Sequence, residues 1–120
     1  MDRGTSAGHA ISFAVRFEHY DADTVLVVVA GELGMESAAP FRHALLPAVT
    51  GSTVVLDLSG VTFCDSVGLR ALVDTQLHTA VGRGALRLVD PSEAITRLLR
   101  ITGMDGVFTV FRDADTAIRA

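Results

Sequence analysis

An α/β domain on a mixed, mostly parallel β-sheet, with helices packed against it in the order β-β-α-β-α-β-α-β-α, is what this sequence predicts. Short, mostly apolar runs at 24–30, 53–58 and 85–89 have the length of strands, and each is followed by a stretch with helical spacing of apolar residues. Strands that alternate with helices in this way call for right-handed crossovers and parallel pairing. Two runs at the start, 11–17 and 24–30, are separated by turn-forming residues at His19 to Asp23 and predict an N-terminal β-hairpin.

Residues 1–10 (MDRGTSAGHA) are small and polar and read as a flexible leader, which leaves 11–120 as a single domain. Ile11, Phe13, Val15 and Phe17 alternate with Ser12, Ala14 and Arg16, the pattern of a half-buried strand near a sheet edge. The unbroken run Thr24 to Ala30 predicts a more central strand. After Gly31-Glu32-Leu33-Gly34 a helix is expected, capped at Ser37, with Pro40 in its first turn and Phe41, Leu45 and Val49 toward the core. Pro47 predicts a kink or an early stop.

Thr53 to Leu58, bounded by Gly51-Ser52 and Ser59-Gly60, reads as a strand buried on both faces. A helix over 66–81 follows, with Leu69, Leu72, Val73, Leu77, Ala80 and Val81 as its apolar face and a glycine of Gly82-Arg83-Gly84 in the left-handed conformation at its end. Ala85 to Val89 is the next strand. Asp90-Pro91-Ser92-Glu93 predicts a helix start with Asp90 as cap, an apolar face of Ile95, Leu98, Leu99 and Thr102, and a stop at Gly103. Val107 to Phe111 completes the strands, and Asp113 caps a terminal helix to Ala120.

Composition narrows the functional classes. A chain of 120 residues, 49% apolar and 20% charged, fits one compact core. Its longest apolar run, Val25 to Ala30, is far short of a membrane span, and 1–10 lacks the apolar segment of a secretion signal. The single cysteine, Cys64, suits a reducing cytoplasm and supplies no metal cluster. His9, His19, His43 and His78 have no ligand spacing. A net charge of -4 without a basic block speaks against binding nucleic acid. All ten basic residues are arginine, which suits a GC-rich bacterial genome.

The chain is organised around Val54 to Leu72, where the strand passes through Leu58-Ser59-Gly60-Val61-Thr62-Phe63-Cys64-Asp65-Ser66-Val67-Gly68-Leu69 into the long helix. Together with Ala30-Gly31-Glu32-Leu33 at the end of an earlier strand, this segment resembles the STAS domain, and within it the bacterial anti-sigma-factor antagonists. The resemblance extends over nearly the whole chain from about residue 11. It implies a STAS fold and a protein without catalytic activity or cofactor of its own. It also implies a cytoplasmic partner switch. The dephosphorylated form binds an anti-sigma factor that is also an ATP-dependent serine kinase, which releases a sigma factor. Phosphorylation frees the kinase, and a metal-dependent serine phosphatase resets the protein. A STAS module of a stress-sensing or transporter-associated assembly, without the modification, is the alternative.

Sequence pattern alone makes Ser66 a helix cap; the resemblance implies that it is the phosphorylated residue. Asp65 is either a competing cap or a contact for the kinase. Gly68 reads as the site of close approach by another backbone, since glycine has no advantage inside a helix. Arg70, one turn beyond Ser66, is either an exposed helix residue or a partner for a phosphate there. With Val67, Glu32 and Gly34, these residues form the partner surface that the resemblance implies. Gly34 departs from the family pattern, which often has Asp after Gly-Glu-Leu, and Val67 stands where some relatives have a second hydroxyl. Two enzyme readings fail on the residues: Cys64 to Gly68 lacks the first glycine of a G-x-S-x-G elbow, and a phosphoreceiver with Asp57 as acceptor needs a late lysine that this chain does not contain.

Overall fold

The computed structural model describes residues 13–48 and 51–120. The leader at 1–10, Ile11, Ser12 and Val49 lie outside the described residues. Among the described residues, five strands and four helices occur in the expected order: β1 Phe13–His19, β2 Thr24–Leu33, α1 Ala38–Leu45, β3 Thr53–Cys64, α2 Ser66–Val81, β4 Ala85–Val89, α3 Glu93–Thr102, β5 Thr109–Phe111 and α4 Ala114–Arg119.

One sheet holds the strands in sequential order, with β1 antiparallel to β2 and every later pair parallel. Three right-handed crossovers that all advance in one direction must place their helices on one face. Accordingly α1, α2 and α3 bury Phe41, Leu45, Leu72, Ile95 and Leu99 against Val27, Val29, Val54, Leu56 and Leu58. The opposite face has a smaller cover, where Ala117 of α4 packs on Val55 and Val89. β3 is therefore buried on both faces, as its unbroken apolar run requires. β2 is one-sided by comparison: Val25, Val27 and Val29 are buried while Leu26 and Val28 between them are only half-buried.

The strand framework departs from expectation most where it approaches the β3–α2 junction. Ser59-Gly60 does not end β3; the strand runs on to Cys64, and β2 runs beside it to Leu33. Register shifts between Val28 and Ala30 and between Gly31 and Glu32 of β2 insert extra residues on the β3 side. Each bulge turns the following side chains over. The inward residues are then Leu58, Val61 and Cys64, at three-residue spacing, and the two-residue alternation is lost. Gly31, at φ 97°, supplies a backbone conformation that a side chain would oppose. At the sheet edges β1 extends to His19 rather than stopping at Phe17, and β5 begins at Thr109, leaving Val107 outside it.

Several helix ends also differ. Ser37 is helical in backbone and caps nothing, because its hydroxyl is committed to the preceding turn. α1 stops at Leu45, just before Pro47 as expected. Ser92, not Asp90, stands at the start of α3, and Asp90 takes a positive φ of 45°. At the end of α2 the left-handed residue is Arg83, while Gly82 has φ -84°. Gly103 at φ 74° and the Asp113 cap on Thr116 N–H agree with the sequence reading.

α2 is rotated relative to its predicted apolar face. Its buried residues are Gly68, Leu69, Ala71, Leu72, Thr75 and Thr79, whereas Leu77 is 58% exposed and Val81 85%. Gly68 sits against the backbone of Leu33, and nine residues at about 100° each put Leu77 half a turn away, facing outward. Threonines can occupy the inner face because Thr75 donates to Ala71 O at 2.9 Å and Thr79 to Gln76 O at 2.7 Å, which leaves no unpaired hydroxyl there. Leu72→Ala is therefore expected to cost about 2–5 kcal/mol in denaturant unfolding, and Leu77→Ala to stay within about 0.5 kcal/mol of wild type. Equal losses at the two positions would contradict this helix phase.

Candidate functional site

The site is built where β2 and β3 end side by side, with Leu33 beside Cys64 in the register. From there β2 turns into α1 and β3 into α2. The first turn is closed by Ser37: its hydroxyl donates to Glu32 O at 2.6 Å and accepts from Gly34 N–H at 2.9 Å. The second is closed by Asp65, whose backbone N–H donates to Leu33 O at 3.3 Å.

The Asp65 side chain joins the two turns. Oδ1 accepts from Gly68 N–H at 2.9 Å, which makes Asp65 the cap of α2, and Oδ2 accepts from Met35 N–H at 3.3 Å. A carboxylate is suited to this place because the first helical turn presents unpaired N–H groups and the positive end of the helix dipole. Gly68 makes the arrangement possible. A Cβ on it would lie 2.0 Å from Leu33 O, so no other residue lets α2 approach β2 this closely. Gly34 is under a related constraint, since a Cβ there would meet Asp65 Oδ2 at 2.8 Å and Phe63 at 3.2 Å.

With Asp65 as cap, Ser66 becomes the first residue of α2 and is exposed. The expectation that Ser66 itself caps the helix is thus replaced. Arg70 follows on the same outward face, its Nε donating to Asp74 Oδ1 at 3.3 Å. Asp74 is held more closely from α1, where Arg42 Nε and Nη2 both reach Oδ2 at 2.9 Å. Val67 is half-buried beside Ser66. Ser66, Val67, Leu69, Arg70, Val73 and Met104 line one groove of about 450 Å³. A second cavity of about 290 Å³ is lined by Asp65 together with Glu32, Gly34, Met35, Glu36, Ser37 and Phe63.

The fold therefore brings together the two sequence motifs, 31–34 and 65–70, that lie more than thirty positions apart from first to last residue. Glu32, Ser66 and Arg70 are exposed there, while Gly34 and Gly68 are buried and act through the neighbours they let approach. Sequence reasoning missed the apolar rim: Met35 is 75% exposed and Phe63 48%, Leu77 and Val81 lie on the outward face of α2, and half-buried Val73 lines the groove. Phe63 was concealed by the bulges, and Leu77 and Val81 by the helix phase.

Cys64 borders the site but does not enter its chemistry. Burial, and secondarily the neighbouring Asp65 carboxylate, push its thiol up to about 12. The neutral thiol dominates at physiological pH, and the thiolate is the nucleophile. Among the described residues no three His, Cys, Asp or Glu side chains gather where they could hold a metal ion. No helix of the described residues is long and apolar enough to cross a membrane.

Comparisons with known proteins converge on one family. A profile described as "Mlab, STAS domain" matches residues 16–111. The anti-sigma-B factor antagonist of Bacillus subtilis is 30% identical over 96 residues, 79% of this chain and 88% of that protein. The crystal structure of an anti-sigma factor antagonist from Mycobacterium paratuberculosis superposes with a TM-score of 0.79 at 29% identity, over 90% of this chain and 92% of that one. The Bacillus cell fate determinant SpoIIAA in its phosphorylated form shares the fold, with a TM-score of 0.69 at 18% identity over 88% of this chain and 98% of that one.

Two substitutions separate the roles of the adjacent polar residues. Asp65→Ala should lose the cap, about 0.5–2 kcal/mol, while Ser66→Ala should change stability by no more than about 0.5 kcal/mol. Chemical denaturation of the pair decides it; a larger loss at Ser66 would return the cap to that residue. The Cys64 thiol should also resist iodoacetamide at pH 8 in the folded protein and react on unfolding, and rapid alkylation of the native state would contradict the burial described.

Proposed function

The chain belongs to the STAS-domain family, and from that membership we propose that it is an anti-sigma-factor antagonist switched by phosphorylation of Ser66. The observation that carries the proposal is the division of labour at the start of α2. Asp65 supplies the cap, and Ser66 is exposed at the first helical position. A phosphate can therefore be added to Ser66 without removing the hydrogen bond that starts the helix. It would also be electrostatically tolerated, because the N-terminus of a helix favours anions.

The consequence falls on binding. Phosphate brings nearly two negative charges and three acceptor oxygens to the edge of the groove formed with Val67, Leu69, Arg70, Val73 and Met104. A partner seated on that surface must accommodate the bulk and desolvate the charge, and an unpaired buried charge is costly. Glu32, Asp65, Val67 and Arg70 form the contact surface, with Gly34 and Gly68 holding its two halves together.

In this reading the unmodified protein binds an anti-sigma factor that is also a serine kinase, and a sigma factor is released. The kinase holds ATP and transfers its γ-phosphoryl group to Ser66 Oγ; the hydroxyl proton is lost and ADP remains with the kinase. A metal-dependent phosphatase then hydrolyses the phosphomonoester, returning the serine and inorganic phosphate. The protein supplies no catalytic group, cofactor or nucleic-acid surface of its own and works in the cytoplasm.

Ser66→Ala should bind the kinase as wild type does and take up no phosphate. Ser66→Asp should melt at the wild-type temperature or slightly above, yet bind at least about tenfold more weakly. Thermal melts and titration calorimetry on the same preparations check both. Undiminished binding by Ser66→Asp, or a loss of binding that follows unfolding, would sink the proposal, and intact mass after incubation with kinase and ATP would exclude it if wild type gained no phosphate.

A further inference from the structure

Ser66, Arg70 and Asp74 stand four residues apart along the outward face of α2. Asp74 serves two arginines unequally. Arg42 reaches one oxygen with two nitrogens at 2.9 Å and is 28% exposed in its side chain, whereas Arg70 reaches the other with one nitrogen at 3.3 Å and is 74% exposed. Removing Arg70 from this set leaves Asp74 neutralised and α1 still tied to α2.

We propose that Arg70 is the receiving group for a phosphate on Ser66: on modification it leaves Asp74 for the phosphoryl oxygens, and Arg42 alone retains Asp74. The inference rests on the phosphorylation of Ser66 proposed above and adds the residue that responds to it. Helix geometry favours the exchange. Side chains four apart are neighbours, and an acid placed N-terminal to its basic partner is the better orientation. The existing Arg70–Asp74 pair has the opposite order; a phosphorylated Ser66 with Arg70 has the favourable one. Guanidinium also matches phosphate oxygens in a two-pronged geometry.

The place of the two residues adds to this. Ser66 and Arg70 both line the groove whose other walls are Val67, Leu69, Val73 and Met104. An ion pair formed against apolar walls is less screened than one in open water. The carboxylate nearest in sequence, Asp65, is engaged by Gly68 and Met35 N–H groups, and Arg70 is the cation that lines the groove together with Ser66. Arg70 would then draw the phosphate along α2 over the groove, so that the groove is the surface closed to a partner.

The test needs no kinase. Phosphoserine is installed at position 66 during translation, and the second ionisation of the phosphate is followed by phosphorus NMR at low ionic strength. Arg70→Gln should raise that pKa by about half a unit, the size expected of an exposed ion pair, and Arg70→Lys should restore part of the shift. Asp74→Asn should lower the pKa distinctly more when Arg70 is present than in the Arg70→Gln background, because the through-space loss of a negative charge is common to both and the competition for Arg70 is removed only in the first. A pKa that ignores Arg70→Gln overturns the pairing, and an equal effect of Asp74→Asn in both backgrounds overturns the exchange. Failure of a kinase to label wild type would count against the proposed function while leaving these titrations interpretable.

Discussion

The two hydrogen bonds of the Asp65 carboxylate are the constraint on which the rest of the site depends. One oxygen fixes the first turn of α2 through Gly68 N–H, and the other fixes the turn after β2 through Met35 N–H. Because Gly68 has no side chain, the same turn of α2 can lie on the Leu33 carbonyl, and the ends of two parallel strands become one surface. Phasing of the whole helix follows from that contact. With Gly68 inward, Leu72, Thr75 and Thr79 must also face the sheet, while Ser66, Arg70 and Leu77 must face away.

In the proposed function this arrangement separates folding from signalling. The groups that hold the corner, Asp65, Ser37 and Gly68, are partly or fully buried; Ser66, which the proposal modifies, is exposed. A charge at an exposed helix start changes stability by no more than about 1 kcal/mol, whereas the same charge enclosed in an interface without a partner costs several. Under the proposed switch, that difference would let a single hydroxyl control association with little effect on the fold. Arg42 and Asp74 serve the same separation from the other side, since they tie α1 to α2 whatever Arg70 does.

Most of the architecture was legible because it depends on residues close together in sequence. The alternation of apolar runs and helical stretches gives the element order, and Asp113 and Gly103 mark their helix boundaries through local backbone chemistry alone. The failures share a non-local cause. Ser59-Gly60 has the composition of a strand end, but pairing with β2 carries β3 through it by bulges, and only the partner strand reveals that. Leu77 and Val81 suit a core by composition, but the contact of Gly68 with Leu33 turns them outward. Ser37 has the chemistry of a cap, yet the turn at Glu32 and Gly34 captures its hydroxyl first. Within the site, the polar residues were legible from the two motifs, whereas the apolar rim of Met35, Phe63 and Val73 exists only after the chain has folded.

The most direct measurement is amide hydrogen exchange at Gly68, taken on the protein with serine and with phosphoserine at position 66. If Asp65 holds the start of α2 independently of Ser66, the Gly68 N–H will be equally protected in both forms, with changes confined to the exposed side of the first turn. Loss of that protection in the phosphorylated form would mean that the modification releases the Asp65 cap, and the separation of folding from binding would fail.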